Sequence, residues 1–95
     1  MELHPNKIKI GNLYKIKINV GDGIFWECAY SYTVDISNAK IGKEVHLTNK
    51  SSPIFLFLKQ YEKNNFDDTI LKVLIENKVI FLLVDEKKCK FEEIE

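Results

Sequence analysis

The fold of this chain is decided by residues 54–84, which read IFLFLKQYEKNNFDDTILKVLIENKVIFLLV. Three nearly continuous apolar runs lie in this stretch, at residues 54–58, 70–75 and 79–84. Their lengths and their β-branched or aromatic content favour strands over helices. Asn77 separates the last two runs and predicts a tight hairpin, whereas the polar segment between the first two is short for a helical crossover. The three runs are therefore predicted to be antiparallel neighbours in one sheet.

These strands carry apolar side chains on both faces, whereas an antiparallel sheet usually has one buried and one wet face. Because a large exposed apolar patch usually marks an interaction site, we hypothesise that strands 54–58 and 79–84 form an interface with a partner or a second copy. The interface candidates, which include two aromatic residues of an earlier strand, are Phe55, Phe57, Ile80, Leu82, Val84, Tyr30 and Tyr32. The alternative is that the sheet curls into a barrel and that segment 35–43 or the N-terminal arm covers its second face.

The first half of the chain follows the alternation of half-buried strands. Residues 14–20 alternate apolar side chains with lysine and asparagine, and residues 24–34 continue the same period of two. The glycines between these two segments predict a hairpin turn. Residues 35–43 are polar and predict a loop, and a short strand is expected around residues 44–48.

The length of 95 residues predicts a single domain. Residues 1–7 are expected to be a lead-in arm, and residues 85–95 a charged tail or a closing strand. The N-terminal segment has no apolar region typical of a signal peptide, and the longest apolar run is too short to cross a bilayer. We therefore expect no membrane partner and a cytoplasmic location, or a location in a particle that is assembled in a cytoplasm.

The charge composition argues against a protein that coats nucleic acid. The net charge is +0, and all 14 basic residues are lysines. Non-specific affinity for nucleic acid depends on neutralising phosphates, and without arginine the chain has no guanidinium group for bidentate contact with guanine or phosphate. A nucleic-acid-binding barrel remains the alternative function. It would need Tyr30 and Tyr32 on the same exposed surface as Lys15 or Lys17.

No group of residues in the sequence has the spacing that catalysis or metal binding requires. His4, His46, Cys28 and Cys89 share no ligand-like spacing, so we expect no metal site and two ordinary thiols, with a single Cys28–Cys89 bridge as the alternative. The carboxylate pairs are sequence neighbours, which point to opposite faces of a strand and do not converge. A small enzyme is the third choice, and no cofactor is predicted.

The chain resembles the SH3-like small barrels. Residues 10–16, which read IGNLYKI, look like the opening strand of such domains; a long excursion from Gly21 to Pro53 follows, and then three strands in quick succession. The excursion is longer than a typical SH3 loop, and the acidic cluster and tryptophan of SH3 domains are missing, so proline-peptide binding is not implied. The lysine-, asparagine- and isoleucine-rich composition is similar to that of short bacteriophage accessory proteins, which implies a virion component or an intracellular binder.

The sequence therefore predicts an all-β, mainly antiparallel domain. Its architecture is expected to be a single SH3-like or related β-barrel with a long excursion between the second and later strands. The predicted function is a non-enzymatic module for protein–protein interaction or assembly, as in a phage-encoded structural, accessory or host-protein-binding protein. A protein partner or self-association is expected more than nucleic acid.

Overall fold

The computed structural model describes residues 2–19, 25–26, 30–47 and 54–94. The turn predicted at the glycines between the first two strands, the turn before residue 54 and Cys28 lie outside these residues, so those predictions are untested. The described strands are β1 (Glu2–Leu3), β2 (Leu13–Asn19), β3 (Phe25–Trp26), β4 (Ser31–Thr33), β5 (His46–Leu47), β6 (Phe55–Tyr61), β7 (Thr69–Ile75), β8 (Lys78–Val84) and β9 (Cys89–Ile94). A 3-10 turn spans Pro5–Lys7, and helix α1 spans Ile36–Ile41.

The strands form one sheet with the order β1-β9-β2-β6-β7-β8-β4-β5, and β3 pairs with the C-terminal end of β2. The strand pairs of the described residues are antiparallel. The sheet is curled into a half-barrel. The predicted all-β, antiparallel class is confirmed, and so is the prediction that the three apolar runs are neighbours, because β7 pairs with both β6 and β8.

The predicted hairpin at Asn77 joins β7 to β8. Glu76 has a φ of 49° and Asn77 a φ of 65°. A two-residue hairpin turn of type I′ needs positive φ at both central positions, and its twist matches that of the strands. Asparagine enters this region of φ at low cost, which explains why this short polar segment sets the register of the longest strand pair.

The inner face of the half-barrel holds the main core. Phe55, Phe91 and Tyr14 are fully buried there, and their ring centroids lie 5.6–6.4 Å apart in tilted and edge-to-face arrangements. Such aromatic pairs are favourable beyond the area that they bury. The Tyr14 hydroxyl accepts a hydrogen bond from the Lys9 backbone N–H at 2.7 Å. The polar tip of a buried ring is thus satisfied, and the segment before β2 is fixed against the core.

Helix α1 corrects the predicted loop at residues 35–43. The Asp35 side chain accepts a hydrogen bond from the Ser37 N–H at 2.8 Å, which caps the helix N-terminus. Gly42 ends the helix with a φ of 68°, and its N–H donates to the Asn38 carbonyl. The helix places Ala39 in a second core cluster on the outer face of the sheet, with Ile70, Phe81 and Leu83. The helix therefore covers part of the second apolar face.

Strand pairing describes four further segments for which the sequence made predictions. The segment predicted as one strand at residues 24–34 contains two strands with different partners, because β3 pairs with β2 whereas β4 pairs with β8 and β5. The lead-in arm is ordered, since β1 pairs with β9. The C-terminal segment forms the closing strand β9 between β1 and β2, and the expected short strand near residue 46 is β5.

Candidate functional site

The predicted interface residues lie in the core of the single chain, with one exception. Six of them are at most 8% exposed, namely Phe55, Phe57, Ile80, Leu82, Val84 and Tyr30. Tyr32 is half-buried and packs against the same core, with its ring centroid 5.7 Å from that of Tyr30. These residues belong to, or pack against, one cluster on the inner face of the sheet. Except at Tyr32, little of each side chain is exposed in the folded chain, and an interface at these residues stays a prediction.

The outer face of the sheet keeps an apolar row that α1 does not cover. Leu13, Leu56, Leu74 and Val79 are paired in succession across β2, β6, β7 and β8. Leu13 is 42% exposed and Val79 is 44% exposed, while the two central leucines are half-buried. We call these four residues the outer row.

A second exposed surface surrounds a cavity at the end of α1. The cavity has a volume of about 340 Å³ and is lined by the helix end, β4, β8, the residue before β5 and the loop that joins β6 to β7. We call it the Phe66 cavity; its lining residues are Ser31, Gly42, Val45, Phe66, Asp68 and Leu83. A volume of this size falls at the lower end of the range of small-ligand pockets, and it accommodates one or two side chains of a partner.

Asn64 builds the loop that carries Phe66. Its side-chain oxygen accepts hydrogen bonds from the N–H groups of Phe66 and Asp68, at 2.9 and 3.0 Å. Its side-chain amide donates to the Ala39 carbonyl at 3.1 Å, so the same residue ties the loop to α1. Asn64 is 9% exposed, and its backbone N–H donates to the Asp68 carbonyl at 3.0 Å. One buried side chain therefore fixes the backbone on both sides of Phe66.

The Phe66 ring lies over Gly42 and stays largely in contact with solvent. It is 68% exposed. A Cβ atom placed on Gly42 would lie 2.6 Å from Phe66 Cδ2 and closer still to Cε2, so the ring rests where a side chain at position 42 would stand. The absence of a side chain at Gly42 therefore allows both the left-handed backbone at the helix end and the close approach of the Phe66 ring.

Two non-glycine residues with left-handed backbone conformation flank the cavity. Glu44 has a φ of 52° and Asp67 a φ of 63°. Glu44 accepts a hydrogen bond from the Asn38 side chain at 2.8 Å, and Asp67 forms an ion pair with Lys63 at 3.4 Å. Residues in this region of φ are uncommon and cluster at functional sites. Both residues are sequence neighbours of residues that line the cavity, so left-handed backbone occurs next to Val45 and next to Phe66.

The electrostatics of the cavity are dominated by Asp68. Burial raises the pKa of its carboxyl group, and the neighbouring charges of Asp85 and Asp67 raise it further, while a hydrogen bond with Asn64 opposes the shift. A second cavity of about 190 Å³ adjoins the first and shares Ser31, Asp68 and Leu83 with it. Asp68 therefore lines both cavities.

Tyr30 lines the second cavity, and burial raises the pKa of its hydroxyl group, with smaller contributions from Tyr32 and Glu76. The nucleic-acid alternative needed Tyr30 and Tyr32 beside Lys15 or Lys17. Both tyrosines belong to the inner-face core, whereas the two lysines alternate with inward residues of β2 and point outward. Lys17 forms an ion pair with Glu92 at 3.4 Å. The structure thus does not bring this set together.

Sequence reasoning missed Phe66, although it stands as a lone aromatic residue in the polar run 62–68. Asn64, two residues before it, is a residue type that commonly fixes turns by bonding to N–H groups two residues on. An aromatic residue directly after such a turn signal is the pattern that could have indicated an exposed ring on a fixed loop.

Within residues 2–19, 25–26, 30–47 and 54–94, no three His, Cys, Asp or Glu side chains are close enough to hold a metal ion. In the same part of the chain, no helix has the length and apolar character needed to cross a membrane. Comparison with known proteins found no family model that matches the chain, no matching curated protein and no matching solved structure.

Proposed function

We propose that this chain is a non-enzymatic protein-binding module whose binding site is the Phe66 cavity. The observation that carries the proposal is the exposed Phe66 ring, held beside an apolar cavity on a loop whose backbone is fixed by Asn64. Aromatic residues next to a pocket are the side chains that most often dominate the energy of protein interfaces.

The energetics agree with a binding role. Leaving a large apolar side chain in water forfeits about 1.5–3 kcal/mol relative to burial. Packing against a partner recovers that free energy at Phe66. Because the loop is already ordered by hydrogen bonds, binding does not have to order it, and this lowers the entropic cost of association. Val45 and Leu83 supply an apolar wall that a partner side chain can contact in the same event.

A photo-crosslinking experiment tests the proposal. A photoreactive phenylalanine analogue is placed at position 66 or, as a control, at Ile10, since both residues are 68% exposed. In extracts of the native host, we expect a discrete adduct from position 66 and none from position 10. An excess of unlabelled wild-type chain should suppress the adduct, and an excess of folded Phe66→Ser should not. Equal adducts from both positions, or equal competition by both chains, would contradict the proposal.

The outer row favours self-assembly as a second candidate function. Its four apolar residues are in register across four strands, and a contiguous apolar centre is typical of interfaces between identical chains. Light scattering over a concentration series measures the mass of wild type, Val79→Lys and the exposed control Ile10→Lys. Self-assembly predicts an oligomer that only Val79→Lys dissociates. A wild-type monomer at every concentration would exclude it. The SH3-like class and a location in a virion stay predictions. Neither the Phe66 cavity nor the outer row depends on them.

A further inference from the structure

We infer that the partner segment bound at the Phe66 cavity presents an apolar side chain next to a lysine or arginine, with the apolar group between Phe66 and Val45 and the cation at Asp68. This inference rests on the proposed protein-binding function and names the chemistry of the partner.

The apolar half of the inference follows from the cavity walls. Phe66, Val45 and Leu83 supply large apolar groups, and the absence of a side chain at Gly42 lets the Phe66 ring lie against the backbone at the end of α1. When an aliphatic or aromatic side chain is inserted there, contacts with the cavity walls replace its contacts with water on several sides. A polar side chain would lose its hydration against these walls without a matching set of hydrogen-bonding groups.

The cationic half follows from the position of Asp68. It is the one charged residue among those that the structure shows lining the Phe66 cavity, and it also lines the second cavity. Asp85 and Lys88 line that second cavity too, so its described lining carries two carboxylates against one ammonium group. A negative charge therefore lies beside the apolar walls of the Phe66 cavity.

The environment of Asp68 makes a cation more favourable there than at an exposed carboxylate. Partial burial removes hydration from the carboxylate, and the charges of Asp85 and Asp67 act against its ionisation. An opposite charge brought within hydrogen-bonding distance reverses both effects, and charge-assisted hydrogen bonds are about twice as strong as neutral ones. An anionic partner would increase the repulsion, and a neutral partner would leave it unchanged.

A displayed library of random peptides tests the inference. Selection is made on the wild-type chain, and the enriched peptides are then measured by fluorescence polarisation against wild type, Phe66→Ala and Asp68→Asn. Thermal unfolding confirms that each variant is folded. We expect enriched peptides with an apolar residue next to lysine or arginine, and binding that is about tenfold weaker for each variant. Binding should also weaken with added salt.

A change in the peptide gives a test that needs no protein variant. Replacing the basic residue of an enriched peptide by citrulline or norleucine removes its charge, and we expect about a tenfold loss of affinity for the wild-type chain. Peptides that depend on Phe66 but bind equally well without the basic residue, or equally well to Asp68→Asn, would overturn the inference and leave the proposed function standing. The absence of any enriched peptide that depends on Phe66 would overturn both.

Discussion

The substitution Gly42→Ala perturbs both the backbone at the end of α1 and the position of the Phe66 ring that packs against it. At a φ of 68°, the left-handed conformation costs an L-residue about 1–2 kcal/mol, which for a domain of this size lowers the melting temperature by roughly 4–16 °C. The added methyl group also collides with the Phe66 ring. Because the ring is 68% exposed, it can swing away, so we expect the collision to displace the ring at little further cost in stability.

Gly11→Ala is the matched control. Gly11 has a φ of 90°, so alanine is strained there too, but an added Cβ would meet nothing within 4 Å. Urea denaturation gives the free energy of unfolding of both variants, and aromatic NMR resonances of Phe66 report the position of its ring. We expect both variants to lose stability and only Gly42→Ala to shift the Phe66 resonances.

The double variant Gly42→Ala/Phe66→Ala separates the two effects. The reasoning predicts that removing the ring restores little of the stability lost by Gly42→Ala, because the loss comes from the backbone. Recovery of most of the stability in the double variant would refute this account, since the ring would then be held rigidly. Unchanged Phe66 resonances in Gly42→Ala would refute the contact itself.

Three further predictions concern stability. Asn64→Ala leaves two partly buried loop N–H groups without their acceptor and should lower the free energy of unfolding by about 2–3 kcal/mol. In the same urea denaturation, Asn65→Ala, at its exposed neighbour, should change it by less than about 0.5 kcal/mol, and equal effects would contradict the role of Asn64 in the loop. Phe55→Ala should cost about 3–5 kcal/mol and Phe66→Ala under about 1 kcal/mol, and the reverse order would place Phe55 on the surface instead of in the core. The pKa of Asp68 is raised in the folded state, so the ionised carboxylate lowers the free energy of unfolding at neutral pH. This destabilisation disappears as the pH falls from the folded-state pKa to the ordinary value of 3.8. Asp68→Asn should therefore raise the melting temperature at pH 7, by an amount that shrinks in acid; a lower melting temperature at pH 7 would contradict the assigned direction.

The parts of the fold that local patterns specify could be predicted from the sequence. The three apolar runs specify strands by composition, and the short polar break at Asn77 accepts positive φ, so both the neighbours and the hairpin were predictable. Strand β9 was expected less firmly, because Phe91 is the main apolar anchor of a charged segment. Its place between β1 and β2 depends on long-range pairing that no local pattern encodes.

Helix α1 was missed because a helix of six residues has little periodicity to detect. Its signals are the caps, Asp35 and Gly42, which in the sequence also fit a loop. The sequence left open whether segment 35–43 or a partner covers the second apolar face. The helix supplies part of that cover through Ala39.

The Phe66 cavity was out of reach of sequence reasoning for a different reason. Its loop depends on a hydrogen bond from Asn64 to the carbonyl of Ala39, which lies 25 residues away in sequence. An asparagine in a polar run is buried only if another element packs on it, and here that element is α1. The neighbouring Asn65 belongs to the same run and is exposed, so residue type alone does not separate the two.

The central claim is that Phe66 is the main contact of a protein-binding site. The most direct test is the affinity of the purified partner captured at position 66 for wild type, Phe66→Ala and Ile10→Ala, measured by isothermal titration calorimetry. We expect Phe66→Ala to bind at least about tenfold more weakly than wild type, and Ile10→Ala to bind as wild type does. Equal affinities of the three chains would contradict it.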